Sequence, residues 1–350
     1  MKFIHLADVH LGAVPDRGTA WSSAREEEIW STFRRVIAEI RDNPVDLLFI
    51  AGDLFHRQPL LRELREVNRL FESIPDTNVY LIAGNHDFMG KESAYRHFRW
   101  AENVVFFDSE ELMCIDDDKA PVTVYGFSFL HQEIKEPLLN GVCPENSKRY
   151  HILLAHGGDE KHVPIDMDDL SEAGFDYAAL GHIHKPKVIR KNKAAYAGAL
   201  EPIDRNDLGP HGYIRGWTKN GEIKTRFVPF AERSYMEVLL KLNEGRRQVD
   251  LEKELARVVE ENGQENIYRV ILTGERSPDL MLIPEKLKIC GNVIDVRDDT
   301  RLPYDLEMLK KQYAGTLIGD YIRYFTMREM TETDRKALYY GLQALLETSR

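Results

Sequence analysis

Five short apolar-rich runs in the first half of the chain each give way to Asp, Asn or His. Phe3–Ala7 leads into Asp8-Val9-His10, and Val45–Ala51 into Gly52-Asp53. Val79–Ala83 is followed by Gly84-Asn85-His86-Asp87, His151–Ala155 by His156-Gly157, and Tyr177–Gly181 by His182-Ile183-His184. Runs of this length bounded by glycine and polar residues read as strands. Amphipathic stretches separate the first three. Residues 24–41 place Ile29, Phe33, Val36, Ile37 and Ile40 at helical spacing, and a second helix spans about 60–73. Strand, helix, strand, helix implies an α/β domain with parallel pairing. In open α/β sheets, sites gather at the carboxyl ends of strands. Five ends carrying metal-binding side chains therefore point to one place.

The side chains define the chemistry expected there. In an extended segment residues i and i+2 share a face, which would aim Asp8 with His10 and His182 with His184. The glycines before Asp53, Asn85 and His182 admit unusual backbone angles and close approach to an ion. Carboxylates, imidazoles and one amide oxygen suit manganese, iron or zinc, and are too rich in nitrogen for calcium or magnesium alone. The three cysteines, Cys114, Cys143 and Cys290, form no CxxC. That argues against both a structural zinc site and a disulfide framework. A lone Asp-x-His after a strand is more often a turn, and a lone Gly-Asp says almost nothing. The five elements in this order carry the reading. His5 and His151 lie inside strands, as packing or surface residues. His97, His131, His162 and His211 have no motif around them.

The rest of the chain sets the frame. Its 350 residues suit about two domains, and 43% apolar with 30% charged residues is an ordinary globular balance. No apolar run approaches the roughly 18 residues that span a bilayer. The start, KFIHLADVH, reads as a strand and not as a signal peptide, so a reducing, cytoplasmic setting is expected. The net charge of −11, from 47 basic and 58 acidic residues, disfavours coating nucleic acid but leaves room for a nuclease with local basic patches. Further strands are expected at 122–129, with hairpins at 186–197 and 212–230, the second turning at Asn220-Gly221. From 231 a strand, a helix at 250–262, a strand, a helix near 278–287 and another strand form a small α/β unit. The chain reads as helical from 305. The expected domains are a 1–230 core, a 231–315 cap and a 316–350 helical segment.

The series of five elements resembles the calcineurin-like metallophosphoesterase superfamily over about residues 1–230. Within it, LADVHLG at 6–12, the RxxE-type helix after it, GDLFHRQP at 52–59 and the small α/β cap are similar to the DNA-repair nucleases, SbcD-type and YhaO-like. The resemblance implies a four-layer sandwich of two mixed β-sheets flanked by helices, with the cap and a helical C-terminus. It implies two divalent metal ions, manganese first among them. Asp8, His10, Asp53 and His184 would hold one; Asp53, Asn85, His156 and His182 the other, with Asp53 as the bridge. His86 would stay off the metals and face the scissile phosphate, oriented by Asp87. His56 matches a second active-site histidine in part of that branch and is otherwise a loop residue. The implied activity is a DNA exonuclease, with single-strand endonuclease activity as a further expectation. A phosphodiesterase or phosphatase acting on nucleotides or phosphoproteins is the alternative.

DNA binding needs local positive charge. Lys185, Lys187, Arg190, Lys191 and Lys193 follow His184 with no acid among them, and Arg57 opens a basic stretch with Arg62, Arg65 and Arg69. Both groups read either as phosphate contacts or as solvated surface. The resemblance also implies an SbcC-like coiled-coil ATPase partner and a homodimer. Leu338, Leu342, Leu345 and Leu346 form a helical stripe, with Tyr321, Ile322, Tyr324 and Phe325 just upstream. Four residues remain after Leu346 to cover it, so it is expected either to dock on the ATPase or to pack on the cap.

Overall fold

The computed structural model describes residues 1–145, 147–243, 245–276 and 280–348. The chain divides into two compact units, Met1–Tyr235 and Met236–Arg350. In chain order the first holds β1 (Lys2–Leu6), α1 (Ser22–Asp42), β2 (Leu47–Ala51), α2 (Leu61–Glu72), β3 (Asn78–Ile82), β4 (Val104–Phe106), β5 (Met113–Asp116), β6 (Val122–Gly126), β7 (Tyr150–His156), α3 (Met167–Glu172), β8 (Tyr177–Gly181), β9 (Lys187–Arg190), β10 (Ala194–Tyr196), β11 (Gly212–Lys219) and β12 (Glu222–Pro229).

These strands form two six-stranded sheets, ordered β12-β11-β1-β2-β3-β4 and β5-β6-β7-β8-β10-β9. β1 to β4 run parallel, and the β11–β12 hairpin joins β1 antiparallel. In the second sheet β6, β7, β8 and β10 are parallel, with antiparallel β5 and β9 at the edges. Alternation along each strand divides its side chains between two cores. Phe3, Leu47, Phe49, Tyr80 and Ile82 face Val122, Val124, Ile152, Leu154 and Tyr177 between the sheets. Ile4, Leu6, Leu48, Ile50, Val79 and Leu81 face the other way, onto Ile29, Phe33, Val36 and Ile37 of α1 and Leu64, Val67 and Phe71 of α2. Each large apolar side chain buried this way contributes about 1.5–3 kcal/mol relative to exposure. The outer layer on the second sheet is thinner, built from Leu170 of α3 and loop residues Phe127, Phe129, Ile134 and Phe175. This is the expected sandwich of two mixed sheets flanked by helices.

β6 is shorter than the 122–129 run suggests. It ends at Gly126, and the chain turns so that Phe129 N–H donates to Ala83 O at 3.1 Å, just past β3. A carboxylate ties the sheets at their other end. Asp117 accepts from Asn78 Nδ2 (2.7 Å) and Tyr80 OH (2.9 Å) on β3, and from the backbone of Lys119 and Ala120.

The second unit holds β13 (Tyr235–Leu242) from its second residue on, α4 (Gln248–Asn262), β14 (Ile267–Gly274), α5 (Pro284–Lys288), β15 (Asn292–Asp298), α6 (Leu306–Gln312), α7 (Leu317–Thr326) and α8 (Glu332–Thr348). β13, β14 and β15 form a three-stranded sheet that packs on Leu251, Leu255 and Val259 of α4. The helix expected near 278–287 forms only from Pro284. Ile283, before that proline, is kept out of helical geometry at φ −122°, ψ 89°. Residues 278 and 279 lie outside the described residues. α6, α7 and α8 share a core of Leu309, Ile318, Ile322, Phe325, Leu338 and Leu342. Leu338 and Leu342 are fully buried there. The stripe on which a partner could dock is therefore largely internal, because α8 needs it to hold α7.

Candidate metal centre

The carboxyl ends of β1, β2 and β3 in one sheet and β7 and β8 in the other bring the expected residues together. The loops after β1 and β2 run side by side, with Asp8 N–H donating to Gly52 O (3.1 Å) and His10 N–H to Asp53 O (3.0 Å). Glycine is needed where these loops crowd. A Cβ on Gly84 would lie 2.3 Å from Asp53 Oδ1, and one on Gly181 would lie 2.0 Å from Ala51 O.

The convergence of Asp8 with His10 does not arise from an extended pleat. β1 ends at Leu6, and Asp8 (φ 49°) and His10 (φ 52°) both sit in the left-handed region. Asp53 (φ 50°) and His182 (φ 100°) are there too. Such angles are costly for residues with a Cβ, and they persist only where the surroundings over-determine them. The surroundings here are hydrogen bonds: His182 N–H reaches both Asp8 carboxylate oxygens at 3.0 Å. His86 N–H donates to Asp53 Oδ1 at 2.8 Å. His182 and His184 do not share one face either; they turn to different neighbours.

Two overlapping groups result. In one, His10 Nε2 and His184 Nε2 face each other at 3.0 Å, beside Asp8, with Asp53 Oδ2 at 3.8 Å from His10. In the other, Asp53 Oδ2 lies 3.4 Å from His156 Nε2, and Asn85 Oδ1 lies 2.9 Å from His156 Nε2 and 3.1 Å from His182 Nδ1. Asp53 lies within 4 Å of a histidine in each, and Asp8 also groups with both His10–His184 and Asp53–His156. Asp8, His10, Asp53 and His156 are all but inaccessible to solvent. Carboxylate, imidazole and amide donors with no thiolate suit borderline divalent cations. These groups could hold two of them.

Electrostatics inside the cluster divide its members. Burial pushes the Asp8 carboxyl up to about 6, against the pull of His156 and His184. Burial would raise Asp53 too, but the charge of His156, its hydrogen bond, and His10 and His86 hold Asp53 well below the usual carboxylate range. His156 is raised to about 9, because Asp53 outweighs the cost of burial. His10 is pushed well below the ordinary histidine value by burial. Asp53 and His156 thus pair as carboxylate and cation, whereas burial works against charge on Asp8 and His10.

His86 is exposed at the rim, and its Nδ1 lies 3.1 Å from His56 O. Its ring is edge-on to His10, with centroids 4.8 Å apart. His56 Nδ1 lies 3.3 Å from His10 Nδ1, so His56 belongs to the cluster's wall. Asp87 does not orient His86. Its buried carboxylate accepts from Gly84 N (2.8 Å), Phe55 N (3.1 Å) and Tyr95 OH (2.9 Å), which pins the loop after β3 to the loop after β2. Its place in a Gly-Asn-His-Asp turn directs it inward, away from the ring beside it.

Several basic residues are already engaged. Arg57 pairs with Glu63 at 2.8 Å, the same carboxylate that caps α2 through Leu60 N–H. Arg190 donates to Ser171 O at 3.0 Å, and Lys193 approaches Asp176 at 3.9 Å. Lys185, Lys187 and Lys191 have no ion pair among the described residues.

Three polar residues escape the sequence reading. Asp159 Oδ2 lies 2.7 Å from His182 Nε2, and Asp207 Oδ2 lies 3.3 Å from His184 Nδ1. His162 joins Asp159 at 2.9 Å and packs its ring on His182. None sits at a strand end or in a recurring spacing, so only the folded loops reveal them.

A sandwich of two mixed sheets with clustered His, Asp and Asn at their carboxyl edges defines a metallophosphoesterase. The chain belongs to the calcineurin-like phosphoesterase family, whose pattern matches residues 1–186. It is 30% identical over 247 residues to the uncharacterized metallophosphoesterase YhaO of Bacillus subtilis (strain 168), covering 65% of this chain and 60% of that protein. It is 29% identical over 219 residues to the DNA double-strand break repair protein Mre11 of Methanocaldococcus jannaschii, covering 59% of this chain and 58% of that one. To the Mre11 of Sulfurisphaera tokodaii it is 27% identical over 315 residues, 82% of this chain and 77% of the other. The alignments thus span about three-fifths of the first two relatives' length. No helix among the described residues is long and apolar enough to cross a membrane.

Proposed function

We propose that the protein is a two-metal DNA phosphodiesterase, an exonuclease with single-strand endonuclease activity, acting in double-strand-break repair. The observation that carries this reading is Asp53, shared by two donor groups on adjoining sheet edges. On this reading Asp8, His10, Asp53 and His184 hold one ion and Asp53, Asn85, His156 and His182 the other, with manganese as the cation. Two such ions would supply Lewis-acid stabilisation of a phosphoryl group and an activated water. The chain's own groups do the rest. Asp53 is held ionised and is braced by His86 N–H. His86 keeps Nδ1 on the His56 carbonyl, which leaves Nε2 to give a proton to the departing sugar oxygen. His56 backs that ring, and Asp87 keeps the two loops at fixed spacing.

DNA as substrate draws on the Mre11 relatives and on Lys185, Lys187 and Lys191, which follow His184 in the sequence. An SbcC-like ATPase partner, a homodimer and a cytoplasmic setting belong to the same reading. If the ATPase meets the C-terminal helices, it meets Leu317, Tyr324 and Met327, which are exposed, and not the buried Leu338 and Leu342. The rival reading is a phosphodiesterase or phosphatase for nucleotides or phosphoproteins. The net charge of −11 favours it, as does the engagement of Arg57, Arg190 and Lys193 by protein groups. The deciding experiment is manganese-dependent degradation of end-labelled duplex DNA, run beside a dinucleotide, a cyclic nucleotide and a phosphopeptide, with His86→Ala as control. Turnover of the small substrates with intact DNA would favour the rival.

A further inference from the structure

The two histidines of Gly181-His182-Ile183-His184 present opposite ring nitrogens to the candidate centre. His184 turns Nε2 inward, 3.0 Å from His10 Nε2, and Nδ1 outward to Asp207 Oδ2 at 3.3 Å. His182 turns Nδ1 inward, 3.1 Å from Asn85 Oδ1, and Nε2 outward to Asp159 Oδ2 at 2.7 Å. A neutral imidazole carries one N–H, and an ionised carboxylate only accepts. When the ring is neutral, each carboxylate therefore holds its proton on the outward nitrogen and leaves a lone pair on the inward one. Which nitrogen of a histidine meets a metal is set by the bond the other nitrogen makes.

Both carboxylates are fixed independently of the histidine they serve. Asp207 is buried, and its Oδ2 also accepts from Ile203 N–H (3.1 Å) and Asp204 N–H (3.0 Å). Asp159 Oδ1 accepts from Lys161 N–H (2.8 Å) and His162 N–H (2.9 Å), and the His162 ring holds the same carboxylate at 2.9 Å. The two arms are not equivalent. Free imidazole side chains favour the Nε2–H form. Asp159 reinforces that preference at His182, whereas Asp207 works against it at His184.

We infer that Asp207 and Asp159 are positioning residues that raise the cation affinity of the centre: Asp207 holds His184 as the Nδ1–H tautomer, and Asp159, steadied by His162, orients the His182 ring, whose Nε2–H form is already the favoured one. This rests on the reading of His182 and His184 as metal ligands. Loss of such an outer partner costs about 10–100-fold in metal affinity.

The test uses the full chain, labelled with ¹⁵N-histidine and free of metal. Ring ¹⁵N–¹H spectra, taken at a pH high enough to leave both rings neutral, read each tautomer, with the signals assigned through His184→Gln and His182→Gln, and calorimetry with Mn²⁺ reads affinity. The wild type should show Nδ1–H at His184 and Nε2–H at His182. Asp207→Ala should convert His184 to Nε2–H and lower Mn²⁺ affinity about 10–100-fold. Asp207→Asn, whose amide oxygen can still accept the ring proton, should restore the tautomer and most of the affinity. Asp159→Ala, a change at a half-exposed carboxylate that puts little of the fold at stake, should weaken Mn²⁺ binding while His182 keeps Nε2–H. A His184 tautomer indifferent to Asp207, or unchanged affinity in both alanine variants, would overturn the inference alone. Wild-type Mn²⁺ affinity in His184→Gln would overturn the ligand reading and the inference with it.

Discussion

The His56 and His86 rings stack with centroids 5.1 Å apart and planes 22° from parallel, and the His56 carbonyl sits 3.1 Å from His86 Nδ1. His86 is thus held from the side by a ring and at one nitrogen by a backbone oxygen. If its other nitrogen is the proton donor, His86→Ala should keep its metals and lose about 10²–10⁴ in rate on DNA or alkyl diesters. The loss on an activated aryl diester should be much smaller, since that leaving group needs no proton. Equal losses on both substrates would assign His86 a structural part.

Asp53 touches both donor groups, so Asp53→Asn should strip a charge from each. Metal analysis after dialysis should show fewer than two ions per chain, and diester hydrolysis should fall by orders of magnitude. Retention of two ions with full activity would remove Asp53 as the bridge.

The basic segment after His184 divides by its partners. Neutral replacements of Lys185, Lys187 and Lys191 should weaken duplex binding and lower the log–log salt slope by about 0.9 for each DNA phosphate no longer neutralised. Arg57→Gln and Arg190→Gln should change that slope little, because both guanidinium groups are engaged within the protein. Hydrolysis of a small aryl diester should not respond to any of them. An unchanged slope in the lysine variant would make the segment ordinary solvated surface.

His5 offers a test of acid stability away from the cluster. Burial between the sheets pushes its pKa down to about 3, and Nδ1 lies 3.0 Å from Tyr177 OH. The unfolded chain protonates this ring near its ordinary value of 6.5, whereas the folded chain does so only near 3. The stabilising contribution is therefore complete above 6.5 and is lost as pH falls through that window, by about 1.4 kcal/mol per pH unit. His5→Gln should flatten the acid limb of stability in denaturant titrations run between those pH values. An acid limb as steep as the parent's would mean that His5 is hydrated.

In the C-terminal helices, Leu338→Ala should cost about 2–5 kcal/mol through the cavity it leaves against Ile322 and Phe325. Ending the chain near Glu329 removes α8 and should make α6 and α7 sensitive to limited proteolysis, while hydrolysis of a small diester persists. Protease resistance equal to the parent's would return the stripe to the surface.

Most of the fold and the main cluster are legible in the sequence, for one physical reason. Buried strands read as unbroken apolar runs, and the polar residues that stop them stand out. Asp8, Asp53, Asn85, His156 and His184 are visible this way. What sequence order hides is anything set by loop geometry. Adjacency makes Asp87 a partner of His86, but the turn points it inward to Tyr95. Asp159 and Asp207 are invisible because they meet His182 and His184 from loops that are 23 residues away in sequence in each case. The leucine stripe of α8 carries a true helical period, and a period cannot tell a buried face from a docking face.

The left-handed backbone at Asp8, His10, Asp53 and His182 has a consequence for how this protein can change. At each position glycine would relieve the backbone while erasing a donor. At Asp8 and Asp53 that relief is offset, because the lost carboxylate is also the acceptor for His182 N–H or His86 N–H. Heat resistance and chemistry therefore rest on the same two carboxylates, and neither can be tuned there without the other.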